Sequence, residues 1–447
     1  AGTASGVGKT TVMVGLARAL RTRGLRVAVF KCGPDYLDPT FHARAAGRAS
    51  QNLDGWMMGR DAVHATFVRT ARDADIALVE GMMGLFDGAS PTDETGSAAE
   101  IAKWLGAPVL LVVDASAIAR TIAAVAHGFA TFDPGLDVAG VIANRVGGRA
   151  HLDLLREALA RPPIVGGLPD DPSLRFPERH LGLVRADDAS VPETLLAAWG
   201  ARAAEWLDLQ AILDLARSAP PLAAESAVRV VAPAPRCRIA LADDEAFHFY
   251  YEDNLRRLET LGAEIVRFSP IHDAGLPDVD GLYVGGGYPE AHAEALARNA
   301  SMLESVSALA AADRPIYAEC GGLMYLARAI RTLDGRRHPM AGLFELEIEM
   351  RNRLQAIGYV EVETRAPSWL GGAGLRFRGH EFRHSEIAGE ADDVERLYSV
   401  SPRSGGEPFA EGFRRGSVIA SYVHAHWASS PRIPEGFIAA ARVAGRR

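Results

Sequence analysis

The sequence predicts two consecutive α/β domains, the first built on a mostly parallel sheet. Three observations predict this. Short apolar runs alternate with amphipathic stretches through the first half, the composition turns to alanine, proline and serine near residues 216–235, and a second alternating pattern follows. Buried strands separated by helices are what a parallel sheet covered on both faces requires. The 447 residues exceed one ordinary core and suit two or three domains.

Taken in order, residues 10–23 read as a helix and 25–31 as a strand. A strand at 75–80, a helix at 98–105 and a strand at 108–114 follow. A helix at 117–129 and a strand at 138–144 complete the first pattern. Residues 216–235 read ARSAPPLAAESAVRVVAPAP, with no helical period, as an interdomain linker does. The expected division is therefore 1–218, a linker at 219–236, and 237–447. In the second domain, strands are expected at 238–242, 265–268, 281–284, 315–318 and 418–424, with a helix at 249–261.

Bulk composition narrows the function. Hydrophobic residues make up 48% and charged residues 23%, ordinary for a globular chain. A net charge of −8 points away from nucleic acid as a partner. No apolar run approaches the roughly 20 residues that span a bilayer, so no membrane is expected. The three cysteines, Cys32, Cys237 and Cys320, are odd in number and far apart, which argues against a disulfide framework and fits the cytoplasm. No leader segment is visible.

The chain opens Gly2-Thr3-Ala4-Ser5-Gly6-Val7-Gly8-Lys9-Thr10-Thr11. Glycines at 6 and 8 let backbone N–H groups close on phosphate oxygens, and the helix that follows adds a favourable dipole. Lys9 supplies charge to the outer phosphates, and Thr10 offers a hydroxyl to Mg²⁺. This is the ATP cradle of a P-loop NTPase-type domain, with Thr3 where such loops usually carry their first glycine. The strand that should precede the loop is absent, so the sequence reads as trimmed at its start. Mg²⁺ also needs carboxylates at strand ends. Glu80 ends one apolar run and Asp114 another, and Asp87 follows on a glycine-rich loop. Asn144, ending a third strand, is expected to read the adenine edge or to form a turn.

The second signal is Ala318-Glu319-Cys320-Gly321-Gly322-Leu323 after a short strand. A cysteine between a strand and a helix, followed by two glycines, is a nucleophile elbow. The helix start is expected to lower the thiol pKa and to give an oxyanion donor at Gly321. Gly286 and Gly287 supply the second donor from another glycine-rich loop. The base is His424 or His426, in Ser421-Tyr422-Val423-His424-Ala425-His426. Cys32 and Cys237 lack such surroundings and read as structural.

These motifs, with Lys31-Cys32-Gly33-Pro34-Asp35-Tyr36-Leu37-Asp38-Pro39-Thr40-Phe41-His42 and Glu80-Gly81-Met82-Met83-Gly84-Leu85-Phe86-Asp87, resemble the cobyrinic and hydrogenobyrinic acid a,c-diamide synthases nearly end to end. The resemblance implies a dethiobiotin-synthetase-like first domain and a class I glutamine amidotransferase-like second. It implies that Cys320 attacks glutamine with His424 as base. It also implies that ammonia crosses to the first domain and displaces an acyl phosphate made from ATP. His426 stands where many related enzymes carry an orienting acid, so a Cys–His dyad is expected. Asp35, Tyr36 and Leu37 are implied to lie where ATP meets the macrocycle; on the residues alone they read equally as a proline-set turn with a capping aspartate. Gly379–Ser385 matches a family segment, with Arg383 and His384 departing from it. The expected partners are ATP, glutamine and a tetrapyrrole carboxylate, and a homodimer is compatible with them. The rival readings are a cobyric acid synthase, a nickel sirohydrochlorin a,c-diamide synthase, and a P-loop switch with an inactive amidotransferase-like domain.

Overall fold

The structure, a computed structural model, describes residues 1–174, 178–179, 182–183, 185–187, 190–222, 235–389 and 394–445. The chain divides into two compact units, Ala1–Ala227 and Val228–Arg447. Most of the expected linker, from 223 to 234, lies outside the described residues. Among the described residues no helix is long and apolar enough to cross a membrane.

The first unit holds two three-stranded parallel sheets. One orders Gln51–Leu53, Val27–Cys32 and Ile76–Glu80; the other orders Val109–Asp114, Val138–Val146 and Ile164–Pro169. Gly2 forms a parallel bridge to Val112, so the start of the phosphate loop runs beside the second sheet. A cavity of about 790 Å³ is lined by both Ile76–Glu80 and Val109–Leu110, with Val12, Leu16 and Ile142. Helix Lys9–Thr22 packs Val12, Val14, Leu16 and Leu20 inward, while Arg21 and Arg23 stay outside. The expected helix at 117–129 begins later, at Thr121. Asp114 accepts from the Ser116 amide, which turns the chain before a helix can start.

The second unit is organised by a ten-stranded mixed sheet. Its parallel half orders Ala263–Phe268, Cys237–Ala242, Gly281–Val284, Ile316–Glu319 and Val418–Ser421. Both faces are covered. Leu282, Val284, Ile316 and Ala318 enter one core, and Tyr283, Tyr317 and Ile419 enter the other. The antiparallel half, including Ala356–Thr364, Arg376–Arg383, Glu395–Pro402 and Phe409–Arg415, was not expected from the sequence. Two expected elements are also corrected. Phe247–Phe249 is a strand against Gly286–Gly287, and the helix starts only at Glu252. The strand expected at 418–424 stops at Ser421; His424–Ala425 pairs instead with Gly379–His380.

Candidate active sites

In the first unit the phosphate loop is held from outside. Val112 N donates to Ala1 O, Thr3 N to Val112 O, and Leu85 N to Gly2 O. Asn144 Nδ2 donates to Val7 O at 2.8 Å, and Arg145 Nη2 to Gly6 O at 2.8 Å. Arg145 is anchored in turn by Asp114. Gly6 and Gly8 have φ of 77° and 91°, a region costly for side chains. No side chain caps the helix that Gly8 starts. Its first N–H groups therefore face a ligand position, as anion binding requires. Lys9 Nζ rests on Ala4 O at 2.9 Å, and burial, then the charge of Lys31, lowers its pKa.

Beside the helix start lies a buried charged cluster. Lys31 and Glu80 are register partners on neighbouring parallel strands. Lys31 Nζ lies 2.9 Å from Glu80 Oε1 and 2.5 Å from Asp38 Oδ2. Thr10 Oγ1 donates to the same Glu80 oxygen at 2.9 Å and lies 3.3 Å from the same Asp38 oxygen. His42 Nε2 meets Glu80 Oε2 at 2.5 Å. Burial works against the Glu80 charge, but Lys31 and His42 prevail and hold its pKa below the usual range. Asp38 moves the other way, up to about 7, through burial and the charge of Asp35.

These residues suit a hard cation. A hydroxyl and two carboxylates converge, the set Mg²⁺ takes alongside phosphates. Among the described residues no cage of three or more His, Cys, Asp or Glu forms; Mg²⁺ asks for none. Asp38 joins Thr10 and Glu80, and Asp87 lies near enough for its charge to act on Lys9. Asp87 Oδ2 accepts from Gly84 N at 2.7 Å, shaping its own loop against the phosphate loop. Asp114 and Asn144 brace the phosphate loop, which leaves only Asn144 Oδ1 for an adenine contact. Asp35 Oδ1 accepts from Leu37 N and Asp38 N, so it caps the helix that carries Asp38. Tyr36 is buried and Leu37 half-buried beside it. No contact singles out Thr11.

In the second unit Cys320 has φ 49° and ψ −101°, a strained pair for a residue with a side chain. The strand Ile316–Glu319 enters it and helix Gly321–Leu326 leaves it. A methyl on Gly322 would lie 2.2 Å from Val284 O, and one on Gly321 would lie 3.1 Å from Gly287 N. A methyl on Gly286 would lie 2.5 Å from His424 Cε1. Glycine thus lets the elbow, the Gly286–Gly287 loop and His424 meet. Cys320 Sγ contacts Phe382 O at 3.9 Å, so the Gly379–Ser385 segment lies beside the thiol. The ring of His380 stacks on His424, with centroids 4.9 Å apart. His426 is fully buried against Tyr251, and its Nδ1 accepts from Ala428 N.

The expected lowering of the thiol pKa is overturned. Burial, with the charge of Glu290, pushes Cys320 up to about 12 and outweighs the Gly321 amide. Burial lowers His424 to about 3. Burial thus favours a neutral thiol at Cys320 and a neutral imidazole at His424. Glu319, one residue before the thiol, accepts from Tyr283, Tyr317 and Ala425 N, and burial raises it to about 7.

Sequence reasoning missed Lys31, Asp38, His42, Glu319 and His380 as site residues. The available signal was a charge inside or ending an apolar strand, as in Val27–Cys32 and Ile316–Glu319. A buried charge demands a partner.

Residues 1–184 match the CobQ/CobB/MinD/ParA nucleotide binding domain, and residues 238–432 the CobB/CobQ-like glutamine amidotransferase domain. The chain is 49% identical over 438 residues to a cobyrinate a,c-diamide synthase of Leptospira interrogans, covering 98% of this chain and 96% of that one. It is 49% identical to the enzyme of that name from Syntrophotalea carbinolica, covering 98% and 97%. It is 42% identical to that from Salmonella typhimurium, covering 99% and 97%. The chain belongs to the cobyrinate a,c-diamide synthase family, amide-forming ligases with a glutamine amidotransferase domain.

Proposed function

We propose that this chain uses ATP and glutamine to amidate the a and c side-chain carboxylates of a corrin-type tetrapyrrole, cobyrinic or hydrogenobyrinic acid, in cobalamin biosynthesis. What carries the reading is one chain that joins a nucleotide cradle to a cysteine elbow, with near-full-length relatives named for this amidation.

At the elbow, Cys320 Sγ attacks the amide carbon of glutamine while His424 takes the thiol proton. Amides of Gly321 and of the Gly286–Gly287 loop supply hydrogen bonds to the developing oxyanion. Ammonia leaves with that proton, and water then hydrolyses the thioester to glutamate. In the first unit a substrate carboxylate oxygen attacks the γ-phosphorus of ATP, and ADP leaves. Ammonia attacks the resulting acyl phosphate, and phosphate departs in place of oxide, which is a far poorer leaving group. The uncapped amides after Gly8, with Lys9, stabilise the charge on the transferred group. Thr10, Glu80 and Asp38 would hold Mg²⁺, which would supply further neutralisation at the phosphates. Asp35 fixes Asp38 from the helix cap, and the Asp35–Leu37 turn is where we assign the meeting of ATP and macrocycle.

The test offers cobyrinic acid, hydrogenobyrinic acid and nickel sirohydrochlorin, each with ATP, Mg²⁺ and glutamine. Mass spectrometry then counts amides. Two amides on a corrin substrate are expected; amidation of nickel sirohydrochlorin alone, or of none, overturns the reading.

A further inference from the structure

Ala425 stands between the two histidines, and side chains grip its backbone on both sides. Glu319 Oε1 accepts from Ala425 N at 3.0 Å. Asn254 Nδ2 donates to Ala425 O at 2.8 Å, while Asn254 Oδ1 accepts from Trp427 N at 2.9 Å. Glu319 and Asn254 are both buried. Glu319 is itself fixed: Tyr283 OH donates to Oε2 at 2.9 Å and Tyr317 OH to Oε1 at 3.0 Å.

The grip replaces sheet pairing that has just ended. Cys320 N still donates to Ser421 O at 2.7 Å, but strand Val418–Ser421 stops there. His424–Ala425 is then paired only toward Gly379–His380. Glu411 accepts from Tyr422 N at the start of the gap that opens, and Glu319 spans it at Ala425. Glu319 itself adjoins the thiol-bearing turn, and the amide it holds adjoins the imidazole.

We propose that Glu319 is a positioning residue for glutamine hydrolysis, setting His424 against Cys320 through the Ala425 amide. This rests on the reading of Cys320 and His424 as the glutamine-cleaving pair. A carboxylate that merely satisfies three buried donors would affect stability but not turnover.

The experiment measures glutamine hydrolysis and ammonia-driven amidation in parallel, on the full chain. Misplacing a reacting group by about 1 Å costs on the order of a hundredfold. Glu319→Leu is expected to lower glutaminase kcat by about that factor, with KM for glutamine within roughly threefold and ammonia-driven amidation within roughly twofold. Glu319→Gln keeps an acceptor for the Ala425 amide and is expected to restore kcat to within about tenfold of wild type. The double variant Tyr283→Phe, Tyr317→Phe retains the ring packing but frees the carboxylate; its kcat is expected to fall roughly tenfold. This double variant decides the matter should Glu319→Leu not fold. An unchanged kcat in a folded Glu319→Leu or in the double variant overturns the proposal, as does a Gln variant no better than Leu. A wild type without glutaminase activity overturns the reading beneath it instead, and Cys320→Ala run alongside identifies that case.

Discussion

The thiol at Cys320 and the imidazole at His424 face opposite demands from burial. Desolvation penalises the charged form of each, so the thiol rises to about 12 and the imidazole falls to about 3. A thiolate–imidazolium pair would alkylate at a constant rate across mildly acid and neutral pH. The neutral pair instead predicts that iodoacetamide labelling of Cys320, located by mass spectrometry, climbs about tenfold per pH unit from pH 7 to 10. A plateau between pH 5 and 8 would refute the neutral pair. The sequence marked Cys320 as a candidate nucleophile, because a cysteine followed by two glycines is a local pattern. It did not reveal that the thiol is stabilised as a thiol, because burial is set by Phe382 and its strand, some sixty residues on. Asp38 and His42 were hidden for the same reason. Each has a bland local setting, and only the turn of their helix brings them to Glu80; Lys31 stood out as a charge within an apolar strand, but its partners did not.

At the scale of the element, the phosphate loop and the elbow rely on glycine for different reasons. Gly8 needs its positive φ, and a methyl there would lie 2.0 Å from Asn144 Nδ2. Gly8→Ala is therefore expected to weaken ATP binding at least tenfold by calorimetry, while glutamine hydrolysis in the other unit is unchanged. Equal ATP affinity would mean that the loop tolerates the shift. Gly322 has no unusual φ; its constraint is the carbonyl of Val284 at 2.2 Å. Gly322→Ala is expected to cost about 1–3 kcal/mol, read as a lower urea midpoint, with glutaminase activity lost. The parallel strands were legible because strands buried on both faces are uninterrupted apolar runs. The antiparallel strands between 356 and 415 were not. Many of their charges pair across strands, such as Arg378 with Glu361 and Arg376 with Glu363, so apolar content alone does not mark them.

At the scale of the whole molecule, the proposed function divides the chemistry between the two units, and substitutions should separate it. Lys9→Ala is expected to abolish amidation with glutamine or ammonia and leave glutamine hydrolysis intact. Cys320→Ala is expected to abolish hydrolysis and keep ammonia-driven amidation. Loss of both activities in either variant would contradict the division. Stability also has a signature of its own in the second unit. His380, His424 and His426 are fully buried, and burial lowers all three. The unfolded chain binds these protons near pH 6.5 and the folded unit does not, so acid favours unfolding. Glu319 and Glu411 act in the opposite sense. Burial raises both to about 7, so the folded unit takes up their protons before the unfolded chain does. Between about pH 4.5 and 6.5 the carboxyls therefore offset most of the histidine effect. Below about 4.5 the unfolded carboxyls protonate too, so that offset ends, and carboxylates held low by ion pairs, such as Asp253 beside Arg257, add to the histidine effect. Urea unfolding of the chain should show a shallow loss of second-unit stability down to pH 4.5 and a steep one below it. His426, lowered to about 4, contributes one proton to that slope. His426→Phe should flatten the dependence between about pH 4 and 6.5 by about 1.4 kcal/mol per pH unit, whatever it does to stability at pH 7. An unchanged slope would mean that His426 titrates in the folded unit as it does in water.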